Sequence, residues 1–250
     1  MRVSTAALVA ALLLAAGCGT EPPRSLGLFT NTADIGGNGL AGSASYDTLR
    51  QTYTVAGSGE HMWFGTDAFR FVWRRVGGDF TIRAEGTFQG DGVHEHRKLG
   101  VIARADTDPG SPYVDVAVHG DGLTSMQYRT TPGADTEEIR AGITGADVVQ
   151  LQRSGDLFVM SVARFGEPFV ADTLRGLAPG DSLLVGLFVC SHDSTVVETA
   201  TFRNVRLVIP PPEGWVPYRD YIGSNLEILD VETGYRRVVH TSDGSIQAPN

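Results

Sequence analysis

Cysteine is scarce in this sequence: Cys18 and Cys190 are the only two in 250 residues. Cys18 ends an apolar leader and is a candidate for lipid attachment, which leaves Cys190 without a partner in the chain. An intrachain disulfide is then excluded, so the stability of the folded protein has to come from a hydrophobic core.

Basic residues are also in short supply. Twenty lysines and arginines stand against 29 acidic residues, which gives a formal net charge of −9, and Lys98 is the only lysine. Proteins that bind nucleic acids need a basic surface to meet the phosphates. The composition therefore predicts no nucleic-acid partner.

Long apolar runs are missing beyond the N-terminus, and the first one, residues 6–16, is too short to span a bilayer comfortably. It ends in residues 14–18 (LAAGC), where small residues before a cysteine suit a lipoprotein signal peptidase. We predict a signal peptide at 1–17 and a lipidated tether at 18–25, with Cys18 as the acylation site. The alternative is an ordinary secretory signal beside an incidental cysteine.

Acylation at Cys18 predicts a location in the cell envelope. Palmitate-type chains insert hydrophobically, at about 0.8 kcal/mol per buried methylene, so several chains hold a protein firmly on a membrane. Gly19 follows the cysteine. In a Gram-negative cell, the lack of aspartate at that position favours the outer membrane, by the sorting convention for lipoproteins.

What the rest of the chain does contain is a series of short β-rich runs separated by turn signals, with 31 glycines spread along it. No long helical period follows the leader. Strands at such regular spacing predict an all-β sandwich or jelly roll, which we place at 26–209. The predicted strands are 52–55, 68–74, 80–87, 99–105, 113–118, 124–129, 147–153, 157–163, 182–190 and 198–208.

The chain changes character at three consecutive prolines, which begin a predicted stiff linker at 210–224. Residues 225–250 then contain two short β-rich runs around a turn and predict a hairpin. An isolated hairpin is marginally stable in water. It therefore docks on the sandwich or begins a further unit.

Alternation along the predicted strand 113–118 separates a core face from a polar face. Val114, Val116 and Val118 point one way, and the polar side chains point the other. The next strand, paired through a tight hairpin, brings further polar groups beside them. We interpret this face as a ligand site, with a hydrated outer sheet face as the alternative. The candidate binding residues are Asp115, His119, Gln127, Arg129, Arg104, Trp63 and His192.

Two polar clusters have both a functional and a structural interpretation. His94 and His96 would share one face of a strand and hold a metal with a third ligand, or they lie in a solvated loop. Asp106 and Asp108 would offer oxygen ligands to calcium, or they cap a turn. The structural interpretation is the simpler one in both cases, so no cofactor or metal site is predicted.

Cys190 and two tryptophans raise similar alternatives. Cys190 and His192 lie two apart and suggest a nucleophile, but no third orienting group follows, which favours a buried structural thiol. Trp73 alternates with Phe69 and Phe71 and predicts an aromatic core stripe. Trp63 lies in a turn-like segment and is the better candidate for an exposed ring.

Three stretches resemble one known family: residues 57–73 (GSGEHMWFGTDAFRFVW) with 78–80, residues 111–125 (SPYVDVAVHGDGLTS) and residues 189–193 (VCSHD). Together they resemble the concanavalin A-like jelly rolls of DUF1349 type. They are most similar to the N-terminal domain of exported bacterial proteins known as TolB-like or "biopolymer transporter TolR". In that family a β-propeller follows, and residues 225–250 resemble its entry. The resemblance implies a jelly-roll fold over roughly residues 27–250.

Three functions remain open on this basis. The first is a non-catalytic carbohydrate-binding lipoprotein of the cell envelope, whose partner is a glycan or envelope polysaccharide. The second is a scaffold that positions a TolB-like propeller for contacts with envelope proteins. The third is a glycoside-active enzyme on the same face, which needs two acids facing one cleft. Asp115 is placed there, and Asp121 and Glu95 lie on loops, so no catalytic residue is assigned.

Overall fold

The computed structural model describes residues 26–210, 224–229, 231 and 236–242, and the regular structure within these ranges is entirely β. The strands are β1 (Asn31–Ile35), β2 (Ser43–Asp47), β3 (Thr52–Gly59), β4 (Phe69–Gly77), β5 (Phe80–Gln89), β6 (Lys98–Arg104), β7 (Tyr113–His119), β8 (Thr124–Arg129), β9 (Glu137–Arg140), β10 (Val148–Ser154), β11 (Leu157–Ala163), β12 (Val170–Arg175), β13 (Ser182–Cys190), β14 (Asp193–Val208), β15 (Ser224–Leu229) and β16 (Arg236–Ser242). No helix in this part of the chain has the length and apolar character needed to cross a membrane.

Fourteen of these strands form two antiparallel sheets of seven. The front sheet has the order β1-β4-β13-β6-β7-β8-β9, and the back sheet has the order β12-β11-β10-β5-β14-β3-β2. Neighbours in each sheet are often distant in sequence, because the chain crosses repeatedly between the sheets. The predicted all-β jelly-roll sandwich is confirmed.

Every one of the ten predicted strands is present, with its ends shifted by at most a few residues. Four strands of the sandwich were not predicted: β1, β2, β9 and β12. They form the outer edges of the two sheets, and most of their residues are exposed or half-buried. An edge strand buries little apolar surface and so carries little of the alternation on which the prediction rests.

The space between the sheets is filled by the apolar faces of both. Val114 and Val116 of β7 are fully buried there, which confirms that the valine face is core. Ile82, Leu151 and Phe202 of the back sheet belong to the same core and are also fully buried. Each such side chain contributes about 1.5–3 kcal/mol by leaving water.

The outer face of the front sheet is also buried, and it carries a second apolar cluster. Trp73 lies in this cluster, stacked on Phe71 with ring centroids 4.8 Å apart, as the aromatic stripe predicts. A covering loop, residues 60–68 between β3 and β4, closes over the face. Met62 of this loop is fully buried, and its carbonyl oxygen accepts a hydrogen bond from the Tyr113 hydroxyl at 2.9 Å.

A buried ionic network fixes the covering loop to the sheet. The Asp67 carboxylate accepts from Arg104 of β6 at 2.5 Å and from two nitrogens of Arg129 of β8 at 2.7 Å each. All three side chains are fully buried. The two guanidinium groups also donate to the carbonyl oxygens of Asp108 and Ala134, each at 2.6 Å, so that one network joins three loops.

The hairpin β15–β16 contacts the back sheet. Val238 is buried, and the Glu227 carboxylate lies 2.8 Å from the Arg206 guanidinium of β14. The predicted hairpin therefore docks on the sandwich. The predicted leader and tether at 1–25 and nearly all of the linker at 210–224 lie outside the described residues, so those domain boundaries stay predictions.

Replacement of Asp67 by asparagine tests the network. Asp67→Asn leaves two buried guanidinium groups without a counter-charge, which costs about 3–5 kcal/mol when one partner of a buried pair is lost. We expect a clearly lower midpoint in urea-induced unfolding. The matched control is Asp47→Asn, which breaks the exposed pair with Arg50 and should change the midpoint little. Equal effects of the two substitutions would contradict the assigned role.

Candidate functional site

A cavity of about 340 Å³ opens at one end of the outer face of the front sheet. We call it the histidine cavity. Three neighbouring strands bring their ends together here, because Lys98 of β6 pairs with His119 of β7 on one side and with Cys190 of β13 on the other. The lining residues are His61, Trp63, Phe64, His96, Lys98, His119, Leu123, Glu138, Arg140 and His192.

The floor of the cavity is a hydrogen-bonded chain of polar groups centred on Gln127. Its side-chain oxygen accepts from the Lys98 ammonium at 3.0 Å, which fixes the orientation of the amide. Its side-chain nitrogen then donates to Glu138 at 3.2 Å and faces Nε2 of His119 at 3.3 Å. Gln127 is fully buried, and it holds each of these three groups in one position.

His119 is neutral and has one unused nitrogen. Burial, with a smaller effect of the Lys98 charge, lowers the pKa of His119 to about 3. Because the Gln127 amide donates to Nε2, we assign the imidazole proton to Nδ1. Nδ1 is buried and has no hydrogen-bond partner among residues 26–210. A buried donor without a partner lowers the stability of the folded chain.

Asp115 lies beside Gln127, its partner across β7 and β8, and does not line the cavity. Burial raises the pKa of its carboxyl to about 8, against the opposing effects of the Lys98 charge and of the Gln127 backbone N–H, which donates to Oδ1 at 3.2 Å. The Asp115 side chain is therefore uncharged at neutral pH. It is not placed to attack or protonate a ligand.

The aromatic wall of the cavity comes from the covering loop. Trp63 is 37% exposed, which confirms the prediction that it is the more exposed of Trp63 and Trp73. The Thr136 N–H donates to its carbonyl oxygen at 2.8 Å, so the backbone that carries the ring is held in place. The Lys98 ammonium lies 6.0 Å from the centre of the Trp63 ring.

Imidazoles form the opposite side of the site. His94 and His192 stack with ring centroids 4.2 Å apart and planes 4° from parallel, and His96 lies 5.5 Å from His192. Burial and the neighbouring His94 and Lys98 lower the pKa of His192 to about 4. His94 and His96 belong to the loop between β5 and β6, so the strand on which the metal interpretation placed them is wrong. In the described ranges, no three histidine, cysteine or acidic side chains are arranged to hold a metal ion.

Of the predicted binding residues, the structure brings Trp63, His119 and His192 to the cavity wall, with Gln127 directly behind it. It does not bring Arg104 and Arg129 there. Both are fully buried in the network with Asp67, some strand positions away along the same face. The expected open polar face is in fact covered by residues 60–68.

Several lining residues were missed in the sequence, including Lys98, Glu138 and Arg140. Lys98 could have been predicted from the sequence. It lies six residues before Arg104 in one strand, and side chains separated by an even number of residues share a face. Glu138 and Arg140 lie on the edge strand β9, which was not predicted. Their approach to Gln127 follows from the pairing of β8 with β9.

Two of the alternative clusters have structural roles. Cys190 is fully buried, and burial raises the pKa of its thiol to about 11, which agrees with a structural thiol and not with a nucleophile. The Asp106 and Asp108 side chains accept backbone N–H groups two residues ahead, at 2.9 and 2.8 Å. These are the hydrogen bonds of a turn cap.

A larger cavity, of about 640 Å³, lies between the hairpin and the back sheet. Its lining includes Leu49 and Phe165, which are 93% and 64% exposed. The side chains there are mostly solvated, whereas the histidine cavity has buried polar groups that converge on one space. Ligand sites are characterised by such convergence.

Comparisons with known proteins identify the fold. No protein-family model and no curated protein matches the sequence. Among solved structures, a functionally unknown protein from Saccharomyces cerevisiae is similar over 68% of this chain and 93% of its own, with 14% identity and a TM-score of 0.53. The fold is that of the jelly-roll sandwiches.

Weaker structural similarities include proteins whose names refer to carbohydrate. Carbohydrate-binding module CBM66 from Bacillus subtilis is 15% identical, with a TM-score of 0.44, over 74% of this chain and 99% of its own. Arcelin-5, a lectin-like defence protein from Phaseolus vulgaris, is 8% identical, with a TM-score of 0.47, over 74% of this chain and 93% of its own. The closer resemblance to DUF1349-type and TolB-like proteins stays a prediction.

The neutral Asp115 predicts a pH dependence of stability. The folded chain keeps the Asp115 proton up to about pH 8, whereas an unfolded aspartate loses it near pH 4. Stability conferred by this group therefore falls as the pH rises between these values. His119 and His192 have the opposite effect below about pH 6.5, because their folded pKa values are lowered.

Asp115→Asn isolates this effect best between about pH 7 and 8, where both histidines are mostly neutral in either state. Asparagine keeps an acceptor for the Gln127 N–H and has no proton to lose. We expect the free energy of unfolding in urea to decline over this range in the parent chain and to be flatter in the variant. Asp193→Asn is the control, because Asp193 has a lowered pKa and stays ionised throughout. A parallel decline in the parent chain and in Asp115→Asn would refute the assignment.

Proposed function

We propose that this chain is a cell-envelope lipoprotein whose sandwich binds carbohydrate in the histidine cavity without cleaving it. The observation that carries the proposal is a half-exposed indole, Trp63, held beside a buried polar floor. An aromatic face contacts the apolar side of a sugar ring, while fixed donors and acceptors meet its hydroxyl groups. The cavity volume of about 340 Å³ lies at the lower end of the range typical of small-ligand sites.

The polar groups around the cavity include hydrogen-bond donors and acceptors, and the hydroxyl groups of a sugar need both. The Lys98 ammonium and the Arg140 guanidinium are donors, and the Glu138 carboxylate is an acceptor. Glu138 is itself fixed by Gln127 and by Arg140, whose Nε lies 2.7 Å from its second oxygen. Such pre-organisation reduces the entropy lost when a ligand binds.

The same geometry supports binding over cleavage. Glycoside cleavage commonly needs two carboxyl groups, about 5–9.5 Å apart, on either side of one bond. Glu138 is the one acidic residue among those that line the cavity in the described part of the chain. Asp115, the acid that the sequence placed here, does not line the cavity and is uncharged at neutral pH.

A scaffold for envelope proteins is the second candidate, and one observation favours it. Leu226 and Ile228 of the hairpin are 52% and 51% exposed, although each lies in a strand. Exposed apolar side chains on a short two-stranded sheet suit a contact with another protein or with a following domain. The binding experiment below separates the two candidates.

Truncation of Trp63 tests the carbohydrate site. The chain carrying Cys18→Ser, which changes none of the described residues, is applied to a glycan array, and the best ligands are then titrated by calorimetry. We expect Trp63→Ala to weaken binding by roughly tenfold or more, because loss of an aromatic anchor commonly costs about 2 kcal/mol.

Phe165→Ala is the matched control, because it removes an exposed ring that lines the other cavity. It should leave glycan affinity unchanged. A blank array from a folded protein would contradict the proposal and favour the scaffold. Release of new reducing ends during the titration would instead favour the enzyme.

Lipid attachment is tested separately by growing cells with labelled palmitate. We expect label in the parent chain and in Cys190→Ser, which keeps the predicted acylation site. Cys18→Ser should carry no label and should leave the membrane fraction. Labelling that survives in Cys18→Ser would contradict the predicted anchor.

A further inference from the structure

The only lysine of the sequence is buried in the floor of the histidine cavity. Lys98 is 2% exposed, although lysine is among the residues least often buried. A buried ammonium group is costly unless it is paired and hydrogen-bonded. The groups that surround the Lys98 ammonium therefore indicate the charge of the ligand that it would bind.

Three of the buried arginines are paired with carboxylates, which is the usual solution. Arg97, Arg104 and Arg129 each lie within 2.7 Å of a carboxylate oxygen, from Glu198 or from Asp67. Lys98 has no carboxylate at salt-bridge distance among the described residues. Its contacts are the neutral oxygen of Gln127 at 3.0 Å and the Trp63 ring at 6.0 Å.

The two nearby acidic residues do not neutralise this charge. Asp115 is kept protonated at neutral pH by its burial, as its pKa of about 8 shows. Glu138 is ionised, but the Arg140 guanidinium lies 2.7 Å from it and balances its charge. With His119 and His192 neutral, the floor of the cavity keeps one uncompensated positive charge in a protein that is acidic overall.

We propose that the sugar bound in the histidine cavity carries a carboxylate, as hexuronic acids do, and that this group pairs with the Lys98 ammonium. The inference rests on the carbohydrate site proposed above and specifies its ligand class. The carboxylate of the ligand supplies the negative charge that no described residue places beside the Lys98 ammonium.

The deciding comparison uses charge as its only variable. Trimers of galacturonate, mannuronate and glucuronate are titrated into the Cys18→Ser chain beside their methyl esters, which keep the sugar and remove the charge. We expect at least one uronate trimer to bind roughly tenfold or more tightly than its ester, because hydrogen bonds to charged groups contribute more than neutral ones. A sulfated galactose trimer tests whether the site selects a carboxylate or any anion.

Two substitutions assign the preference to Lys98. Lys98→Met keeps the length of the side chain and removes its charge, so the uronate trimer and its ester should bind alike. Arg75→Gln removes an exposed arginine of β4 that lines a different cavity, and should preserve the preference. Circular dichroism and thermal unfolding establish that each variant is folded. The comparison on the parent chain decides the ligand class even if Lys98→Met does not fold.

Each outcome has a distinct meaning. Neutral glycans that bind as tightly as uronates would overturn the inference and leave the carbohydrate site standing. A preference that survives Lys98→Met, or that favours the sulfated trimer over the uronates, would also overturn it. Absence of binding by every glycan would count against the proposed function itself.

Discussion

The buried pairing of Asp67 with Arg104 and Arg129 is the interaction on which the functional end of this sandwich depends. The apolar core between the sheets explains why the chain folds, but it leaves the outer face of the front sheet uncovered. The ionic network brings residues 60–68 onto that face and joins them to the β6–β7 loop and the β8–β9 loop. Trp63 is carried by the loop that Asp67 anchors, so the wall of the cavity exists because the network does.

Along the outer face, the same physical problem of burying charge is solved in two ways. At one end, two guanidinium groups share one carboxylate, and their remaining donors meet backbone carbonyl oxygens. At the other end, Lys98 donates to the Gln127 amide oxygen, lies near the Trp63 indole and lines the histidine cavity. Arginine suits the first place, because its planar group satisfies several fixed acceptors at once. A compact ammonium with rotatable donors suits a place where the partner arrives from outside.

The alternation of side chains was enough to predict most strands and to separate the two faces of β7. It did not reveal that the polar face is covered, because Asp67 is 37 and 62 residues away from its two partners. No local pattern records such a contact. The edge strands were missed for a related reason: Glu138 and Arg140 lie in β9, where burial is slight and the apolar period is absent. The prediction that Arg104 and Arg129 bind a ligand was wrong. The sequence of a strand does not distinguish a charged side chain that contacts solvent or a ligand from one that pairs with another part of the chain.

The neutral state of Asp115 shows why the cavity keeps its charge. An aspartate beside a lysine ordinarily ionises and forms a pair, and the Lys98 charge does favour that outcome. Burial outweighs it here, because the Asp115 carboxyl is fully enclosed and one of its oxygens has no partner in residues 26–210. The other oxygen accepts from the Gln127 backbone N–H, and the Gln127 side chain takes up the Lys98 ammonium. A solvated aspartate at the same position would pair with Lys98 and leave no charge for a ligand. The burial of one carboxyl group beside Gln127 therefore leaves the Lys98 charge unpaired within the protein.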